Sequence, residues 1–240
     1  MINIVGFFVS RSNLVYNEAK ECEETTMSLS KYSLSTILTY GIVFFLPIAF
    51  VPSGHQVAAT TIGYLAGAAI MFFLYFKQTE PLSFEHKKTK VSAILIYGLT
   101  GIVAAILLQN LAIFIESFFG EVSASQNTEN IIAIVVQNPL FALAAMVGGP
   151  IMEEFVFRRA LVGIIGKYSN VWVGVVVSAV AFAFAHNDNH LLVYIFLGLF
   201  FSGLYALTGS IWTSMITHVG MNTLVIIIQL LLHYGYIQMP

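Results

Sequence analysis

Long uncharged stretches, separated by short charged clusters, organise this chain. No Asp, Glu, Lys or Arg falls within 32–76, 91–115, 130–152, 168–187 or 189–240. A helix needs about 20 apolar residues to cross a bilayer. The first stretch has room for two crossings, divided by Pro52-Ser53-Gly54-His55-Gln56, and the last for two more, divided by Thr208-Gly209-Ser210. The pattern predicts crossings near 36–51, 57–76, 91–115, 130–148, 168–186, 190–207 and 211–232. A further helix over about 150–166 is read as a continuation or re-entrant part of the fourth crossing. Backbone groups in lipid must satisfy one another, which favours helices, and the alternation of a membrane barrel is absent. The expected fold is all-α and polytopic, with about seven to eight transmembrane helices.

Composition agrees. Hydrophobic residues make up 58% of the 240, charged residues 9%, and mean hydropathy is +0.85. Soluble domains carry about 25% charged residues, so a water-facing globule is excluded and the lipid bilayer is the expected surrounding. With a net charge of -2 and no basic stripe, nucleic acid is not an expected partner. Residues 1–31 form a polar N-terminal tract, and 32–240 read as a single helical transmembrane domain. The apolar start MINIVGFFVS is followed, not preceded, by Arg11, which is unlike a signal peptide. The 77–90 loop holds Lys77, Lys87, Lys88 and Lys90 and is expected in the cytoplasm; the 116–129 loop has Glu116, Glu121 and Glu129 and no base, which suits the outside.

Ionisable groups at membrane depth are costly and point to function. Three segments carry them. In Pro150-Ile-Met-Glu153-Glu154-Phe-Val-Phe-Arg158-Arg159, Glu154 and Arg158 stand four apart and can pair on one helix face, leaving Glu153 the freer carboxylate. Phe182-Ala-Phe-Ala-His186 closes an apolar helix, and His218-Val-Gly-Met-Asn222 puts two polar groups one turn apart. A lone membrane histidine is often an interhelical hydrogen-bonder, and His190, His233 and His55 are read as interfacial or loop residues. Antiparallel helices meeting near Ser169 bring Glu153 and His186 to one level; His218, only about eight residues past the Gly209 turn, falls nearer that side. Glu153 could deprotonate a water with help from His186, while His218 and Asn222 bind the oxyanion of an attacked peptide carbonyl. Glu153, His186 and His218 could instead hold a metal, zinc being the ion such ligands suit. There is no His-Glu-x-x-His, Asp188 is the single aspartate, no Gly-x-Ser occurs, and the one cysteine, Cys22, lies in the polar tract. Zincin, two-aspartate, serine and cysteine chemistries therefore fit worse.

In order and spacing these motifs resemble the CPBP family, the CAAX proteases and bacteriocin-processing enzymes also called Abi. The matching residues are Glu153, Glu154 and Arg158; Phe182 and His186; His218 and Asn222; and Thr208-Gly209-Ser210-Ile211-Trp212 ahead of the last pair, in a core of about 130–228. The resemblance implies a polytopic intramembrane endopeptidase acting on a peptide or membrane-protein substrate. It implies that Glu153 and His186 activate water and that His218 and Asn222 bind the oxyanion. The family is commonly labelled metalloprotease, and a metal-independent glutamate mechanism is also argued. Arg159 stands where many members have Gly. A bacterial cytoplasmic membrane is the expected location, with a peptide signal, bacteriocin or membrane protein as substrate in preference to a prenylated one. The alternative is a non-catalytic membrane immunity or scaffold protein.

Overall fold

The computed structural model describes residues 27–85, 89–121 and 123–238; all but the last five residues of the polar N-terminal tract lie outside them. Eight helices run in chain order among these residues: α1 (Leu29–Phe50), α2 (Gln56–Lys77), α3 (Val91–Glu116), α4 (Gln126–Gln137), α5 (141–168), α6 (Val171–His186), α7 (Leu191–Thr208) and α8 (Ile211–His233). The chain is an all-α polytopic membrane protein: α1, α2, α3, α7 and α8 have the length and apolar composition to cross a bilayer. Large side chains left exposed on them, such as Phe45, Phe73 and Leu107, are lipid contacts in such a setting.

The predicted boundaries hold at the Pro52–Gln56 break, at the Ser169 turn and at Gly209, whose positive φ of 66° ends α7 in the left-handed region glycine adopts without strain. Two expectations are corrected. The first crossing begins at Leu29, not near 36, because Ser28 accepts the Lys31 N–H and caps the helix. A single crossing over 130–148 does not form. Pro139 has no N–H and keeps Asn138 out of helical geometry (φ -136°, ψ 79°). The chain breaks there into the 12-residue α4, too short to span, and the long α5, which takes in the segment read as a separate helix over 150–166.

Helix α5 is the axis of the fold, packed by α1, α2, α6 and α8. It is apolar or buried around its whole circumference from Phe155 to Ala160. Two stretches of it, Ala144–Gly148 and Glu154–Leu161, are wound as wider π-helix. The first precedes Pro150, whose ring would otherwise press on the carbonyl four residues back. The second begins at Glu154, and such π-turns often mark functional sites. Close helix contacts set the positions around it: a Cβ on Gly174 of α6 would stand 2.8 Å from the Val162 carbonyl oxygen of α5, and one on Gly198 of α7 would stand 2.9 Å from Ala179 Cα of α6. Small residues at such crossings let membrane helices approach.

Candidate functional site

Glu153 and His186 reach one level by helix arithmetic. At 1.5 Å per residue, Glu153 stands about 22 Å from the end of α5 and His186 about 22 Å from the start of α6. The two helices are joined by the short turn at Ser169-Asn170, where Asn170 caps α6 by accepting the Trp172 N–H. His218 lies only seven residues into α8, so equal turn heights would leave it short. The 208–210 turn is recessed instead. Thr208 is buried and Ile211 fully so, and Phe84, Glu85 and Thr89 pack over this end: Thr89 donates to the Thr208 carbonyl, the Tyr205 hydroxyl donates to Glu85, and Phe84 packs edge-on against Tyr205.

Three of the predicted segments therefore meet. Glu153 Oε2 lies 3.6 Å from His218 Nε2 and 4.0 Å from His186 Nε2. His186 Nδ1–H donates to the Phe182 carbonyl at 2.8 Å, which turns Nε2 toward the carboxylate. His218 Nδ1 is 2.9 Å from Glu154 Oε1, and Arg158 Nε is 3.5 Å from that same oxygen. Glu154 and Arg158 are fully buried. A guanidinium compensates the Glu154 carboxylate, which in turn fixes the His218 imidazole. Asn222, one turn beyond His218, lines the same cavity.

Aromatic rings hold these groups. The Arg158 guanidinium sits 4.2 Å over the Phe182 ring. The Phe201 ring stacks on His218 at 4.6 Å and the Tyr194 ring on His186 at 4.0 Å. Phe201 and Tyr194 were not singled out in sequence, and Asp188 and His190 were noted there without a place in the site. Tyr194 donates to Asp188 Oδ2 at 2.9 Å, and the same oxygen accepts from Ser125 at 2.6 Å. His190, in the turn between α6 and α7, is buried, 2.6 Å from Glu116 Oε2 and 2.9 Å from the Ser123 carbonyl. A lone aspartate two residues past His186 was the available signal. Arg159 is also buried and paired, with Glu85 at 3.1 Å and Gln78 at 2.6 Å, tying α5 to the loop above the 208–210 turn.

The cavity holds about 1090 Å³ and is walled by α3, α4, α6, α7 and α8, with His186, His218 and Asn222 in its inner wall. Glu153 is not one of the wall residues and meets the cavity through the two imidazoles, with 17% of its side chain exposed. Two imidazole nitrogens and a carboxylate are donors that zinc takes. Among the described residues, however, no three such groups converge closely enough to cage an ion.

Fold and site together define a polytopic membrane protein with a buried glutamate–histidine centre. A family model described as type II CAAX prenyl endopeptidase Rce1-like matches residues 135–224. The "Membrane-embedded CAAX protease MroQ" of Staphylococcus aureus is 30% identical over 221 residues, covering 83% of this chain and 89% of that protein. The "Putative membrane peptidase YdiL" of Bacillus subtilis is 34% identical over 146 residues, and the match spans 60% of its length. None of the solved structures matches the chain. The chain belongs to the Rce1-like family of CAAX endopeptidases, the CPBP group its motifs resemble, and is an integral membrane protein of bacterial type.

Proposed function

We propose that the protein is an intramembrane endopeptidase that hydrolyses a peptide bond with a water activated by Glu153. The observation that carries this reading is the sharing of one carboxylate oxygen, Glu153 Oε2, between two imidazole Nε2 atoms at 3.6 and 4.0 Å beside a cavity large enough for a peptide. With Nδ1–H committed to the Phe182 carbonyl, His186 has its Nε2 lone pair free to accept from a water. Glu153 removes the second proton of that water as its oxygen attacks the carbonyl carbon of the substrate. The oxyanion that forms takes hydrogen bonds from the Asn222 amide and from His218 Nε2. For His218 to donate there it must carry a proton on both nitrogens, and Glu154, itself balanced by Arg158, is the counter-charge at Nδ1. Glu153 then passes its proton to the leaving nitrogen, and the products are a carboxylic acid and an amine, which ionise to carboxylate and ammonium.

Glu153, His186 and His218 are donors of the kind zinc takes, but among the described residues no three such groups converge closely enough to cage an ion, and no step runs through one. The steps above use only the protein's own groups. Activity of the purified protein should accordingly survive prolonged dialysis against a chelator; loss of activity restored by added zinc would assign the ion.

Membrane peptides from cells carrying the wild type or Glu153→Gln, compared by mass spectrometry, test the function. Fragments present only with the wild type are expected; identical fragment sets would overturn the reading.

A further inference from the structure

Nearly every described basic residue lies at one end of the molecule. Lys31 is in the first turn of α1, Lys77 ends α2, Lys90 caps α3 and Lys167 lies in the last turn of α5. Arg159 faces the same 78–85 loop, through Gln78 and Glu85, and the sequence puts Lys87 and Lys88 in that loop as well. The sole exception is Arg158, buried at the site. At the other end stand the 51–55 turn, the 117–125 loop, the 187–190 turn and the 234–238 segment. None of these contains Lys or Arg, and they or their neighbours carry Glu116, Glu121, Glu129 and Asp188. Basic residues close to helix ends remain in the cytoplasm, so the lysine-bearing end is the cytoplasmic one.

The cavity opens at the opposite end. Its inner wall is His218, and from there it follows α8 through Val225 and Gln229 to Gly235 and Gln238, and α4 through Ile132 and Thr128 to Ser123. On the cytoplasmic side the site is closed by the recessed 208–210 turn, with Glu85 and Thr89 packed over it. We infer that the site is entered from the extracytoplasmic side, so that the substrate is a membrane-inserted or translocated peptide segment whose scissile bond lies in the outer half of the bilayer or beyond it. The inference rests on the proposed peptidase reading for the word substrate, but not for the direction of entry. The walls also describe the segment: apolar where it meets Ile131, Ile132, Val225 and Ile226, and lacking acidic groups where it passes the exposed Glu129. A volume of about 1090 Å³ exceeds the roughly 300–1,000 Å³ of small-ligand pockets and leaves room for an extended stretch of several residues.

The test needs no substrate. In a Cys22→Ser background, single cysteines are placed inside the cavity (Val225→Cys), at its mouth (Thr128→Cys) and on the lysine-bearing loop (Ser83→Cys), and intact cells are treated with a membrane-impermeant maleimide. Val225→Cys and Thr128→Cys should be labelled in intact cells, and Ser83→Cys only after the membrane is permeabilised or inverted. Labelling of Ser83→Cys alone in intact cells would overturn the inference. So would a Val225→Cys that reacts from neither side while Thr128→Cys reacts, since the cavity would then not reach the site. Labelling is independent of catalysis, so an inactive protein labelled in the expected pattern would sink the peptidase reading and leave the direction of entry standing.

Discussion

Glu154 and Arg158 take no part in the proposed proton transfers, yet His218 depends on them. A buried carboxylate that loses its cation is left uncompensated, which costs about 3–5 kcal/mol. Arg158→Met should therefore lower the thermal midpoint of the detergent-solubilised protein by a corresponding amount, and activity should fall because His218 is no longer fixed. Asn222 is different: it lines the cavity and is only half-buried. Asn222→Ala should reduce kcat by about 10²–10³, the usual loss for one oxyanion donor, with the midpoint unchanged. His190 gives a pH signature. Its two nitrogens face Glu116 and the Ser123 carbonyl, both acceptors, so the geometry calls for two ring protons. Burial opposes that charge, but the bonds to Glu116 and Ser123 outweigh it and raise the pKa above 6.5. A raised histidine contributes its stability in full below the unfolded value and loses it as pH climbs through the folded one. The thermal midpoint should decline as pH rises above about 6.5, and His190→Gln should flatten that part of the curve.

At the scale of elements, the α5–α6–α7 spacing decides whether Glu153 and His186 meet. Gly174 abuts backbone of α5, which cannot yield as a flexible side chain would. Gly174→Ala should cost about 1–3 kcal/mol of overpacking and lower activity beyond what its midpoint explains, since α6 carries His186. Much of this layer was legible in the sequence. Charge-free runs located the helices, and the spacing from Ser169 correctly paired Glu153 with His186. The His218 level was not legible, because it depends on a turn recessed beneath a loop from a distant part of the chain, held by Glu85–Tyr205 and Thr89–Thr208 contacts 119 or more residues apart. The break at Asn138-Pro139 was visible in principle, since proline was there to be read, but a long charge-free run masked it. Tyr194 and Phe201 looked like ordinary helix residues: nothing in the period of a wholly apolar helix says which ring will lie on an imidazole.

Across the whole molecule, acid and imidazole from three separated segments are gathered at membrane depth, closed on the lysine-bearing side and open on the other. The central claim is that Glu153 activates the water. The most direct measurement is the cleavage rate of a wild-type-dependent peptide by purified wild type and Glu153→Gln, each with its thermal midpoint. With the midpoint preserved, Glu153→Gln should retain no more than about one part in 10²–10⁴ of the rate, the share a positioned general base contributes. A rate close to wild type from a folded Glu153→Gln protein would contradict the account.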